Sequence, residues 1–226
     1  MYSAVGRSPH PRPDDMPGTK IAEALRREQI ISAAYQLALR GGLRAVTVRD
    51  VARKGGTSTG LVIFHFRTKE RLVLALLDFV VAKTTTLTVG PDVEQITSPL
   101  DRLIALLRQE MGRLSTESAR NRLFFEFWNE GMWNRAVRVR MQRDLDRYRA
   151  AFHPLASEVI ADDPERFAGI QPADLAAVAV SFIKGCAIQS IIEPDLDVDG
   201  FLRAAEALLA APSPAAYRQA AAALAR

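Results

Sequence analysis

The chain has 226 residues, 48% of them hydrophobic and 25% charged, with 13 Gly, 12 Pro and one cysteine. That usage excludes collagen-like, low-complexity and charge-dominated disordered chains, and supports a sizeable core without disulfides or a structural metal. A lone Cys186 cannot form an intrachain disulfide, and the formal net charge is only +4.

Taken in order, residues 1–20 carry four prolines and no apolar periodicity, so a flexible arm is expected there. They also lack the apolar stretch of a secretory signal, and no uninterrupted apolar run reaches membrane-spanning length. A soluble, cytoplasmic protein is expected, with no membrane partner. A first helix is predicted over 21–39, with Ile30, Ala33, Ala34, Leu37 and Ala38 on one face and Gly41-Gly42 ending it. Thr47-x-x-Asp50 has the form of a capping box and opens a two-turn helix that stops at Gly55-Gly56. A third short helix is predicted over 58–65. Thr68 caps a fourth, with Leu72, Leu76 and Phe79 on its inner stripe. Two short helices around a glycine-containing turn form a helix-turn-helix pattern.

Further helices are predicted over 97–115, 119–132, 134–160, 172–192 and 198–211, separated at Gly90-Pro91, Ser98-Pro99, Asp163-Pro164, Gln171-Pro172 and Glu193-Pro194. No strand-like alternation occurs between turn signals. The predicted fold is all-α: an N-terminal three-helix helix-turn-helix head over 21–68, a larger helical bundle over 69–215 and a tail over 216–226, assembled as a homodimer.

The charge divides with the domains. Residues 20–72 hold 11 Lys and Arg against four acids, and residues 73–226 hold 17 against 20. A +7 head on a −3 body points to a polyanion-binding module attached to a domain with another task. In a helix-turn-helix the second helix enters the major groove and flanking groups contact phosphates. Thr59 and Leu61 are placed to reach base edges, and Gly60 lets the backbone approach closely.

The stretch Thr47-Val48-Arg49-Asp50-Val51-Ala52, followed by Gly56-Thr57-Ser58-Thr59-Gly60-Leu61-Val62-Ile63-Phe64-His65-Phe66-Arg67-Thr68-Lys69-Glu70, resembles the DNA-binding head of TetR-type transcriptional regulators. Phe124–Tyr148 is more loosely similar to the effector domains of the betaine-repressor branch. The resemblance implies a ligand-responsive regulator, a repressor that releases a palindromic operator when an effector binds. It implies phosphate contacts from Thr47, Ser58, His65 and Lys69, and a base or phosphate contact from Arg49. Thr57, Ile63, Phe64 and Arg67 complete the expected DNA-binding set. Ile63 stands where the family usually has Tyr, so a hydroxyl–phosphate bond is lost there and Arg67 is the neighbour able to replace it.

Gly56-Thr57-Ser58-Thr59-Gly60 also matches the nucleophile-elbow pattern of α/β-hydrolases, the alternative reading as an enzyme or ligand carrier. That pattern needs a strand before the serine, and a basic helix precedes it here. No catalytic role, cofactor or metal site is expected: three histidines and one cysteine lie far apart in sequence. Cys186 is expected to be inert core and His153 partly buried.

For the effector, Phe124, Phe127, Trp128 and Met132 share a helical sector, and Met141, Leu145, Tyr148 and Phe152 form a stripe on the next helix. With Phe182 they form the expected pocket for a small, largely apolar molecule. Glu126 or Glu130, turned inward, would favour a cation. The arginines at 135–149, with Asp144 and Asp146, are expected on a solvated face. Residues 172–192 are apolar almost all round, which calls for burial on both sides. Ala177, Val180, Ser181, Lys184, Ala187, Ile188 and Ile191, with Leu202, Ala205 and Leu209, are the expected dimer interface.

Overall fold

A computed structural model describes residues 17–210; residues 1–16, most of the expected arm, and residues 211–226, which include the expected tail, lie outside the described residues. Ten α-helices and no strands occur among the described residues. They are α1 (Pro17–Gly41), α2 (Val48–Lys54), α3 (Thr59–Phe66), α4 (Lys69–Thr84), α5 (Pro91–Glu94), α6 (Pro99–Thr116), α7 (Ser118–Trp133), α8 (Arg135–Asp162), α9 (Pro172–Ile192) and α10 (Val198–Ala210). The chain divides into two compact units, ending at Leu76 and beginning at Leu77, so the division falls inside α4.

Three local features differ from expectation. α1 begins at Pro17, inside the stretch expected to be an arm; proline fits a first helical turn because its missing N–H has no intrahelical partner there. A 3-10 turn, Leu43–Ala45, follows Gly42, whose φ of 69° is open to glycine at little steric cost. The one-turn α5 carries too short a pattern to be read from sequence.

In the N-terminal unit, Ile30, Ala33, Ala34 and Ala38 of α1 are buried with Val51 and Ala52 of α2, and with Val62 and Phe66 of α3. The Arg27 guanidinium lies 5.0 Å from the centroid of the Phe66 ring, and the arginine itself is exposed. In the C-terminal unit α8 packs against α6, α7 and α9, and α9 also meets α6 and α7. Leu103, Leu107, Leu114, Phe152, Val159 and Ile183 are among the side chains of its continuous core.

By length and composition α9 could cross a membrane. It is instead a core helix on one side: Leu175, Ala176, Ala179, Val180, Ile183, Cys186 and Ala187 are buried, while Val178, Ile188 and Ile192 are exposed. A single chain therefore covers only part of the helix expected to be buried all round. Cys186 is buried, and burial pushes its thiol up from the ordinary range, which suits an unreactive core position. His153 is exposed rather than partly buried.

Candidate nucleic-acid interface and effector-domain core

Helices α2 and α3, joined by a turn, are each opened by a side-chain cap. Thr47 accepts the Asp50 N–H at 3.1 Å and donates its hydroxyl to the same aspartate at 2.7 Å. Asp50 in turn holds Arg53 at 2.6 Å. Ser58 accepts the Leu61 N–H at 3.1 Å and so starts α3. Gly56 supplies the positive φ, 59°, that the turn requires. Gly56–Gly60 thus connects two helices, and Ser58 is a helix cap with no strand before it, which removes the geometric basis of a nucleophile elbow.

Val62 and Phe66 anchor α3 inward, one turn apart. The opposite side presents Thr59, Gly60, Ile63 and Phe64 to solvent, with Leu61 and His65 half-buried at its margins. All twelve residues expected at DNA are exposed or half-buried: Arg49, Ser58, Arg67 and Lys69 are exposed, and Thr47 and Thr57 half-buried. Phe64 is exposed; its ring meets His65 edge-on, with centroids 5.3 Å apart, and the Arg67 guanidinium lies 5.8 Å from it. Arg53 and Lys54 are further exposed cations on α2 that the sequence reading did not include in the site. Their position in the basic run was the available signal.

The nine residues expected around one effector pocket fall in separate places. Trp128, Met132, Met141 and Leu145 line a crevice of about 310 Å³ between α7 and α8, completed by Gly131, Arg138 and Gln142. Phe182 lines a different, almost wholly apolar crevice of about 510 Å³ among α6, α9 and α10. Phe124, Phe127, Tyr148 and Phe152 are core side chains, packed with at most 1% exposure. The correction has a simple cause: four of the rings taken to line one pocket fill the space between helices instead. Glu126 is half-buried, whereas Glu130 is exposed and accepts a 3.4 Å bond from Asn134. Neither lines the α7–α8 crevice.

The carboxylates that do reach the aromatic core are Glu110 and Asp144, 4% and 1% exposed. The Tyr148 hydroxyl donates to Glu110 at 2.7 Å, and Arg113 pairs with Glu110 at 3.1 Å. Asp144 accepts the Thr85 hydroxyl at 2.6 Å and pairs with Arg147 at 3.1 Å, while its other oxygen is buried with no hydrogen-bond partner. Asp144 is therefore not on a solvated face, and burial raises its carboxyl above the usual range against the opposing pull of Thr85, Arg147 and Lys184. Burial, reinforced by Glu110, likewise raises the Tyr148 phenol.

Lys184 is corrected most. It was expected at a dimer interface, yet it is 9% exposed within a single chain. Its ammonium lies 4.3 Å from the Phe124 ring centroid and 4.9 Å from that of Tyr148. Val180, Ala187 and Leu202 are also buried within the chain. The small side chains of α9 let its own bundle approach closely, so they were assigned to the wrong side. Ala177, Ile191, Ala205 and Leu209 remain half-buried, and Ser181 and Ile188 exposed.

Burial lowers Lys184 from 10.5 to about 8, with Asp144 and Glu110 pulling the other way. An unfolded lysine holds its proton more tightly between those values, so Lys184 by itself contributes stability that grows with pH from about 8 to 10.5, by about 3 kcal/mol in all. The raised Cys186 thiol and Tyr148 phenol act in the opposite direction over the upper part of that window. The test is therefore a difference: in urea unfolding the wild type should gain stability relative to Lys184→Met as pH rises from about 8 to 10.5.

Among the described residues no group of three or more His, Cys, Asp or Glu is placed to hold a metal ion. Residues 30–76 match the profile of the bacterial regulatory proteins of the tetR family, and residues 99–214 that of the BetI-type transcriptional repressor C-terminal domain. The HTH-type transcriptional regulator BetI of Stenotrophomonas maltophilia is 27% identical over 128 residues, 57% of this chain and 65% of the relative. The chain thus spans just under two thirds of that relative's length. A TetR transcription regulator from Haloarcula marismortui superposes with a TM-score of 0.65 at 18% identity, covering 80% of this chain and 94% of that one. A protein from Saccharomonospora viridis described as a transcriptional regulator, in complex with choline, gives 0.60 at 20% identity, covering 80% and 92%.

Proposed function

Since the chain belongs to the tetR family of bacterial regulatory proteins and carries a BetI-type C-terminal domain, we propose that it is a cytoplasmic repressor. In this reading it binds a two-fold symmetric DNA site as a homodimer and releases it when a small, largely apolar effector binds the C-terminal domain. The observation that carries this is the exposed face of α3, anchored from behind by Val62 and Phe66 and flanked by Arg49, Arg53, Lys54, Arg67 and Lys69. Thr59 and Leu61 read bases, Gly60 allows close approach, and Thr47, Thr57, Ser58, His65 and Lys69 sit at phosphates. Ile63 and Phe64 make apolar contact at the groove edge. The domains we propose are the head to Thr68 and an effector and dimerisation domain from Lys69 onward.

Gel-shift titration against the chain's own upstream DNA, at several salt concentrations, tests the reading. Lys69→Ala should weaken binding to every sequence and lower the salt slope by about 1, whereas Thr59→Ala should cost about 1–3 kcal/mol at one operator position. Binding by both variants indistinguishable from the parent would remove α3 from the groove.

The dimer is proposed to form through the exposed side of α9 and α10, where Val178, Ser181, Ile188, Ile192 and Leu208 stand in solvent beside half-buried Ala177, Ile191, Ala205 and Leu209. Two heads would then meet successive major grooves, roughly 34–36 Å apart. Ile188→Arg should turn the dimer into a monomer in sedimentation velocity while leaving helicity unchanged. The effector is proposed to enter the crevice between α7 and α8, at about 310 Å³ large enough for a small molecule and floored by adaptable methionines. Its uptake would favour a spacing of the heads that no longer fits DNA. Choline, bound in the Saccharomonospora viridis structure, is the first cationic compound to test.

A further inference from the structure

Lys184 reaches from α9 into the buried interior of the C-terminal unit, its ammonium lying against two aromatic faces. The charged groups acting on it come from every helix packed there: Glu110 and Arg113 of α6, Arg120 of α7 and Asp144 of α8. Beside it is a cavity of about 20 Å³, lined by Glu110, Asn121, Tyr148 and Lys184 among others. That holds about one water, and no larger guest. Asn121 is buried, and its amide nitrogen finds no hydrogen-bond partner.

Aromatic faces backed by carboxylates are the surroundings that recognise a free ammonium ion. Here that place is already filled, by an ammonium on a side chain whose backbone is fixed in α9. A tethered group competes at high effective concentration, and its positioning entropy is spent on folding. Expelling it to admit another cation would also strand a charged lysine among Ile183, Ala187 and the rings.

We propose that Lys184 is a built-in cation that occupies an aromatic and carboxylate cage formed by Phe124, Tyr148, Glu110 and Asp144. The cage accepts a free ammonium only when the lysine is shortened. It is separate from the α7–α8 crevice proposed for the effector, and the proposal does not depend on the regulator reading.

Lys184→Ala removes, in outline, one molecule of n-propylammonium. The full-length variant is titrated with n-propylammonium chloride and, as the neutral counterpart, 1-propanol, with binding read by calorimetry and stability by thermal melting. Expected is binding of propylammonium about tenfold tighter than 1-propanol, the worth of a desolvated cation–π contact, with a rise in melting temperature. Wild type and Lys184→Met, in which the space stays filled, should not respond to propylammonium. If Lys184→Ala does not fold alone, the same comparison is made on refolding yield with each compound present. Equal effects of the two compounds on Lys184→Ala, no effect of either, or stabilisation of wild type by propylammonium as large as that of Lys184→Ala would each overturn the cage. Operator binding by the wild type is measured separately: its absence defeats the regulator reading and leaves the amine result standing.

Discussion

Glu110→Leu is expected to destabilise the C-terminal unit by about 3–5 kcal/mol, the usual consequence of removing one partner from a buried charged set. The side chain is 4% exposed, accepts from the Tyr148 hydroxyl and pairs with Arg113. Leucine fills nearly the same space, so a cavity is not the cause. The loss comes from groups left without compensation: a phenol with no acceptor, and the Lys184 ammonium with one carboxylate fewer acting on it. Urea denaturation followed by circular dichroism measures it. Adding Lys184→Met removes the stranded cation, so the double variant should be more stable than the sum of the two single losses. A strictly additive cycle would mean that the two groups do not share one electrostatic site.

Phe66→Ala should cost about 3–5 kcal/mol in the N-terminal unit, by lost apolar transfer and the cavity left behind. Phe66 is 3% exposed at the inner end of α3. A unit this small buries less of its surface than a full-sized domain and has little stability in reserve. The expected result is therefore local and complete. Hydrogen exchange across residues 30–76 should approach unfolded rates and DNA binding should vanish, while α6 to α9 keep their protection. Retained exchange protection in α2 and α3 would show that the head tolerates the cavity.

The head was legible because its signals are short-range. Thr47, Ser58 and Thr68 each accept the N–H three residues on, and the glycines mark turns that only a few residue types make at low cost. Helix α9 was placed residue for residue, since Pro172 and Pro194 bracket it. Its orientation was not, because an apolar helix without a polar face has no phase to read; the side that turns inward is chosen by α6, α7 and α8. The buried polar cluster left a signal that passed unread. Leu103, Leu107, Glu110 and Leu114 follow one helical stripe, as do Val137, Met141, Asp144, Tyr148 and Phe152, and as do Val180, Lys184 and Ala187. Three charges sit on core stripes, one in each of three helices. Following 141-144-148 instead of 141-145-148 would have put Asp144 inside.

The junction between α3 and α4 is only two residues long, Arg67 and Thr68. Arg67 has φ 65° and ψ −47°, and the Thr68 N–H donates to Phe66 O at 2.7 Å, the signature of a γ-turn. A non-glycine residue there costs of order 1–3 kcal/mol. With no slack in the junction, α3 is a fixed projection of the start of α4 and has no arc of its own to sweep. In the proposed docking, encounter with DNA then becomes a matter of rigid registration: little freedom of that helix remains to be surrendered on binding, and a groove of the wrong pitch would not be met by bending α3.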